Sequence, residues 1–453
     1  MKYRSVRPFL YRAVMFMTAL SLVSALLLTP AGQAQAAGPG EITASSALLM
    51  DMETGRVLFD QNGHTPAYPA STTKIMTALL AIEYLDMDQR IEVPEDMGPA
   101  DGAAMYLLPG EAFTVRQLVD SLMVKSANDA AVLLARTISG SVEAFADLMN
   151  HRARELGARN THFTNPNGLP DDNHVTTAYD LAVISRHAMT DPLFREIAEQ
   201  VRVTLDETEQ TPEKRYFRTS NRFRWSQALI SYRGSLVPIQ YDVVDGIKTG
   251  WTRQANQCLV SSGEISGVRM IAVVLGAEGY NVYSDSRALL DYGFEHFEPY
   301  TLLEANAVLG ELELPEAGGD TVLYGVREDV TALRHRSDPS FFQYDTVVDL
   351  HEPELPVRLG QVLGTVEVVD GEYSQILNIH ALSEAQPLYA MVTASSSVGN
   401  IGLRLLLWAL AGMAGLAVLF VFWVAWNMKK SGKRYRFRGL KKRTPVRRNR
   451  TLR

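Results

Sequence analysis

The chain has 453 residues, of which 46% are hydrophobic, 21% charged and 9% aromatic, so it is ordinary globular material rather than a disordered, collagenous or coiled-coil chain. Its length gives room for about three domains, and its one cysteine, Cys258, excludes an intramolecular disulfide and a multi-cysteine zinc site. The net charge of -7 hides a division: four basic residues in 1–36 and thirteen in 427–453 stand without any acid, which leaves 27 basic against 51 acidic residues between them, a body near -24 that repels nucleic acid and anionic surfaces.

Residues 1–36 have a basic stretch through Arg12, an apolar run from Ala13 to Leu28, then Pro30 and small residues ending Ala34-Gln35-Ala36. This is the three-part layout of a secretory signal, with cleavage expected after Ala36; an uncleaved anchor is the alternative. From 41 to 297, strand-like and helix-like stretches mix and predict an α+β domain. Ala47 to Met50 and Val57 to Phe59 read as strands about a turn. Ile75, Met76, Leu79, Leu80 and Ile82 give the spacing of a buried helix beginning at Ser71. Thr114 to Gln117 fits a capping box that opens a further helix carried by Leu118, Leu122 and Met123, and Met270 to Leu275 reads as a central strand.

Over 298–393 helix signals fade, and the runs Thr321 to Tyr324, Thr346 to Val348 and Thr365 to Val369, the last before a turn at Asp370-Gly371, predict a small all-β domain. Residues 394–404, opening on Ala394-Ser395-Ser396-Ser397, are expected to form a flexible tether. Leu405 to Trp426 is 22 residues without a charge, long enough to be a transmembrane helix, and the basic tail of 427–453 places that end in the cytoplasm by the excess of Lys and Arg. The expected localisation is therefore the cell membrane, crossed once, with the body on the extracytoplasmic side and the tail against anionic lipid.

Three groups could carry chemistry: Ser71-Thr72-Thr73-Lys74, Ser126-Ala127-Asn128 and Lys248-Thr249-Gly250. Ser71 at a helix start meets free N–H groups and the positive end of the dipole, and Lys74, three residues on, lies on the same face within reach of its hydroxyl. Lysine can act as the base for serine if burial and a second cation, Lys248, lower its pKa. The alternative is a capping serine beside a solvated lysine. Val243 to Ile247 leads into Lys248 as a strand would, and Gly250 lets another backbone approach closely. Lys248 and Thr249 suit a clamp for a substrate carboxylate, and the N–H groups of Trp251 and Ser71 suit an oxyanion hole. Here the alternative is an ordinary exposed strand end.

From about Ser45 to Phe297 the chain resembles the low-molecular-mass penicillin-binding proteins, the serine D-alanyl-D-alanine carboxypeptidases. The resemblance is carried by Pro69 to Thr77, Ser126 to Ala130, Asn165-Pro166-Asn167-Gly168-Leu169, Asp245 to Gly250, and Tyr292-Gly293-Phe294. It implies a penicillin-binding, β-lactamase-like transpeptidase fold followed by the all-β domain and one transmembrane helix. It also implies that Ser71 is acylated, Lys74 is the base, Ser126 helps proton transfer, Asn128 lines the opposite wall, and Lys248 and Thr249 hold the terminal carboxylate. The implied partners are peptidoglycan stem peptides and β-lactams that acylate the serine, with no metal or organic cofactor. Two departures stand out: Ala127 where glycine is common, and Asn256 after Ala255 where the family tends to glycine.

No His-Glu-x-x-His group occurs among the nine histidines, His174 reads as a structural loop residue, and Cys258 as a buried small hydrophobe. The enzymatic rival, a β-lactamase-type hydrolase, lacks a convincing glutamate and asparagine pair between Asn128 and Lys248. A penicillin sensor would need an inward signalling domain, which 27 basic residues do not provide. The expected function is thus hydrolysis of the terminal D-Ala-D-Ala bond, trimming pentapeptides during wall biogenesis.

Overall fold

The computed structural model describes residues 38–430 except 100, 318, 338–343, 371 and 372. The expected signal segment, the glycine of the Asp370-Gly371 turn and the basic tail beyond 430 lie outside the described residues. Contacts divide the chain into two compact units that interleave in sequence. One runs to residue 307 and adds 326–350 and 364–379; the other holds 308–325, 351–363 and the residues from 380 onward.

The first unit is built on a five-stranded antiparallel sheet, in spatial order Val57–Gln61, Ser46–Asp51, Val268–Ala277, Asn256–Ile265, Val244–Thr252. Both faces are covered, which is why the central strands read as continuous apolar runs rather than alternating ones. Leu48, Met50, Ile271, Val273 and Leu275 point into one core, made largely of helices. Ala47, Leu49, Met270, Ala272 and Val274 point into a second, closed by Leu289 and Leu290 of the helix Asn281–His296. Strands expected at 47–50, 57–59 and 270–275 all lie within this sheet.

The helical layer holds Lys74–Tyr84, Val115–Val124, Asn128–Ser139, Val142–Glu155, Ala178–Ala188 and Pro192–Glu199. The capping box is present: the Thr114 hydroxyl accepts from the Gln117 N–H, and the Gln117 side chain accepts from the Thr114 N–H. One start is displaced from expectation. The buried helix begins at Lys74 rather than Ser71, because Ala70–Thr73 winds into a tighter 3₁₀ turn. Ala70 has φ 48°, and the hydroxyls of Thr72 and Thr73 donate back to the carbonyls of Pro69 and Ala70 at 2.7 and 2.8 Å, which holds the turn closed before the α-helix proper starts.

Beyond 297 the described strands are all antiparallel. Within the first unit Phe297–Leu303 pairs with Val330–His335, and Asp345–Leu350 pairs with 364–369. The second unit contains the hairpin Val308–Leu314 with Asp320–Gly325. The expected tether is a correction: residues 394–404 are helical, part of one helix Leu388–Lys430. Serine and threonine cost a helix only tenths of a kcal/mol each, so helix set by the apolar stretch propagates back through them as far as Pro387. Within it, Leu405–Asn427 is 23 residues with a mean hydropathy of 2.5 and is long and apolar enough to cross a membrane.

Candidate active site

The 3₁₀ turn bearing Ser71 lies against the strand Val244–Thr252, and the approach requires glycine: a Cβ on Gly250 would sit 2.9 Å from the Pro69 carbonyl oxygen and 3.0 Å from the Ser71 nitrogen. A cleft of about 330 Å³ opens here, lined among others by Ser71, Ser126, Thr249, Gly250 and Trp251. Five of the eight residues singled out in the sequence therefore face one space. Lys74 and Lys248 lie beneath it, 0% and 1% exposed, each touching a lining serine.

Lys74 Nζ donates to Ser71 Oγ at 3.0 Å and to the Asn167 carbonyl at 2.5 Å. Lys248 Nζ donates to Ser126 Oγ at 3.0 Å and to its neighbour's carbonyl, that of Thr249, at 2.9 Å. Burial holds the Lys74 ammonium well below the ordinary lysine range, the positive charge of Lys248 pushes it further down, and Asp129 opposes both. Burial alone brings Lys248 down to about 7. Asp129 is itself occupied, accepting from the N–H groups of Met105, Leu107 and Ala130, so it fixes the loop over 105–107 without pairing either lysine.

Ser126 has φ 65°, a left-handed backbone just ahead of the helix that Asn128 opens. Asn128 is buried; its Nδ2 donates to the Asp101 carbonyl at 2.6 Å, while its Oδ1 has no hydrogen-bond partner. Both departures from the family pattern fit the backbone. Ala127, at φ -63°, needs no glycine, and Asn256, at φ 56°, is a residue type that tolerates the left-handed region.

His174 is held, as expected, in a structural role. Its Nδ1 accepts from the Thr164 N–H at 3.0 Å, so its proton sits on Nε2, which donates 2.8 Å to Thr73 Oγ1; burial pulls its pKa down to about 4. The same loop supplies Asn167. Cys258 is buried, and burial pushes its thiol up to about 12, which removes it as a nucleophile. Among the described residues no three His, Cys, Asp or Glu side chains gather as metal ligands would.

Sequence reasoning missed five contributors. The Asn167 carbonyl is a backbone group, with no signature beyond the Asn165 to Leu169 run. Ser220, whose hydroxyl lies 2.5 Å from that of Thr249, and Arg222, Tyr280 and Lys125 line the cleft from loops and a helix end that carry no motif.

A serine with a buried, deprotonation-prone lysine at its hydroxyl, set in an open cleft beside a sheet edge, defines a site for serine acyl transfer. The chain belongs to the D-alanyl-D-alanine carboxypeptidase family, which matches residues 32–279. It is 30% identical to D-alanyl-D-alanine carboxypeptidase DacF of Bacillus subtilis over 364 residues, covering 78% of this chain and 90% of that one. With D-alanyl-D-alanine carboxypeptidase DacC of Escherichia coli it shares 32% identity over 342 residues, 72% and 80% of the two chains. The crystal structure of penicillin binding protein 5 from Haemophilus influenzae is similar, with a TM-score of 0.60 at 29% identity, covering 77% of this chain and 99% of that one.

Proposed function

We propose that the protein hydrolyses the terminal D-Ala-D-Ala bond of peptidoglycan stem peptides through an acyl-serine at Ser71, trimming pentapeptides during wall biogenesis. The observation that carries this reading is the 3.0 Å contact between Lys74 Nζ and Ser71 Oγ, made by a lysine buried beside a second cation. Neutral Lys74 takes the hydroxyl proton as Ser71 Oγ attacks the carbonyl carbon of the penultimate residue. The N–H groups of Ser71 and Trp251 receive the developing oxyanion, a contribution of roughly 3–4 kcal/mol per donor in comparable sites.

Collapse of the tetrahedral intermediate breaks the C–N bond. The departing amine takes a proton from Lys74 by way of Ser126, which Lys248 holds in place. Water then attacks the acyl carbon, Lys74 again accepts the proton and returns it to Ser71 Oγ, and the shortened peptide leaves. Asn128 borders the substrate on the helical wall. Lys248, Thr249 and Gly250 form the side that receives the terminal carboxylate. β-Lactams acylate the same serine.

The helix Leu405–Asn427 serves in this reading as a single membrane anchor, with the active unit outside the cell and the basic C-terminal end inside. Its length and hydropathy support the span, and the thirteen basic residues that follow the apolar stretch support the orientation.

The test is incubation of the purified protein with a stem pentapeptide, followed by assay of free D-alanine, together with labelling by a tagged penicillin. D-Alanine release and a label on the Ser71 peptide, both lost in Ser71→Ala, are expected. Label retained by Ser71→Ala would refute the nucleophile.

A further inference from the structure

Asn128 depends on a loop for its place. Its Nδ2 donates to the Asp101 carbonyl at 2.6 Å, and its N–H donates to the carbonyl of Ala103, a cleft-lining residue, at 2.7 Å. Because Oδ1 has no partner, the one hydrogen bond that orients this side chain among the described residues is the bond to the loop.

The loop is held in turn against its own conformational preference. Tyr106 has φ 63°, a left-handed backbone that a bulky residue disfavours, and its side chain is 67% exposed, so burial of the ring does not compensate. Hydrogen bonds impose the conformation from two sides. The Asp129 carboxylate accepts from the N–H groups of Met105 and Leu107, on either side of Tyr106, at 3.0 and 3.1 Å. Arg215 Nη1 donates to the carbonyls of Met105 and Tyr106, each at 3.1 Å. Arg215 is fixed by Glu111, whose side chain is fully buried. Its Nη2 meets Glu111 Oε1 at 2.5 Å, and the same carboxylate accepts from the Leu108 N–H at 2.8 Å and from the hydroxyls of Thr208 and Thr211 at 2.5 and 2.9 Å. The ion pair thereby joins two segments that border the cleft: the loop after Ala103, and the strand Arg215–Arg218, which runs on to Ser220. Neither Glu111 nor Arg215 lines the cleft itself.

We infer that Glu111 and Arg215 are positioning residues for catalysis: they force Tyr106 into left-handed backbone, and through that loop they set where Asn128 and the helical wall of the cleft stand. The inference rests on the acyl-serine reading above, in which Asn128 borders the substrate. A buried carboxylate with this many donors could serve the fold alone. Tyr106 separates the two roles, because glycine takes φ 63° without strain and alanine does not.

The experiment uses the full-length protein, with kcat and KM on the stem pentapeptide expressed per penicillin-titrated site, so that unfolded molecules do not count. Glu111→Gln keeps the shape of the side chain and loses its charge. It should lower kcat per site by about 10- to 100-fold, the effect of a displaced wall. The same substitution is then made beside Tyr106→Ala and beside Tyr106→Gly. Its effect should persist beside Tyr106→Ala and shrink to less than about threefold beside Tyr106→Gly, where the loop keeps its course without the clamp. If Glu111→Gln does not fold, Arg215→Lys takes its place: it keeps a cation for Glu111 but lacks the planar fork that spans the carboxylate and two carbonyls, and it should show the same pattern across the two backgrounds. An undiminished kcat per site, or an equal loss beside Tyr106→Gly and Tyr106→Ala, overturns the inference. Failure of the wild type to release D-alanine overturns the carboxypeptidase reading instead, and penicillin acylation rates across the same variants then decide the role of Glu111 and Arg215.

Discussion

Replacing Gly168 by alanine tests how the active-site turn is held. Gly168 has φ 80°, and a Cβ there would lie 1.8 Å from the Ala70 carbonyl oxygen, 2.4 Å from its carbon and 2.9 Å from Thr73 Oγ1. The first two are backbone atoms of the turn that presents Ser71, so no side chain can swing away. The loop and the turn must part by roughly 1.5 Å to reach ordinary van der Waals separation. Left-handed backbone costs an L-residue about 1–2 kcal/mol, and forced repacking of a tight contact about 1–3 kcal/mol more, so Gly168→Ala should lose about 2–5 kcal/mol of stability. The loop also carries the Asn167 carbonyl that receives Lys74 Nζ, so the base is displaced along with it. A displacement of this size should slow acylation by about 100-fold. Gly267→Ala separates the two costs: Gly267 has φ 82° but open space where the Cβ would go, so it should lose only the backbone contribution and keep its acylation rate. Denaturant midpoints and penicillin acylation rates of both variants provide the comparison. If Gly168→Ala and Gly267→Ala lose stability equally and acylate alike, the contact between loop and turn is not what holds the site.

Two predictions concern pH. With Lys74 as base, the acylation rate rises as pH climbs through its lowered pKa; Lys248→Met removes a neighbouring positive charge, so the Lys74 pKa rises and the acid limb of the rate profile should move to higher pH, whatever the change in amplitude. A limb that stays in place or moves to lower pH would contradict the coupling of the two lysines. His174 resists protonation in the folded state, with a pKa near 4 against an ordinary 6.5, so its favourable neutral form contributes fully above pH 6.5 and is lost between 6.5 and 4, at a cost of about 3 kcal/mol once pH is below 4. Thermal unfolding over that window should be steeper in the wild type than in His174→Gln, and parallel curves would show that His174 titrates normally.

What the sequence disclosed about this protein follows the range of the interactions. Ser71 and Lys74 are three residues apart, and the Thr114–Gln117 box is equally local, so spacing put both pairs in view, although the catalytic reading of the first needed the other two motifs and the family resemblance beside it. The central strand was visible because Met270 to Leu275 is apolar on two faces, yet its pairing with Ser46–Asp51, more than 200 residues away, leaves no local trace. The bond from Lys248 to Ser126 spans 122 residues and was not anticipated: the resemblance of the three motifs brought both residues to one cleft without saying that they touch. The tether was misread for a related reason. Its serine run looked like a linker by composition, while its conformation is set by the apolar helix that follows it.

The lysine pair also explains why the acidity of the body and the chemistry of the cleft do not conflict. A carboxylate paired with Lys74 would stabilise the ammonium and deprive Ser71 of its base. The nearest influence of that kind, Asp129, raises the Lys74 pKa only against the larger effects of burial and Lys248, its oxygens accept from three backbone N–H groups rather than from either lysine, and among the described residues the cleft lining has no acid. Two cations buried together without a counter-ion are costly to fold, since each loses its hydration. That cost appears as lowered pKa values, so the same burial that works against stability supplies Ser71 with an unprotonated neighbour. What the site requires is that no carboxylate pair with Lys74: an acid introduced beneath the cleft would ease the folding of the lysines and remove the property that makes Lys74 a base.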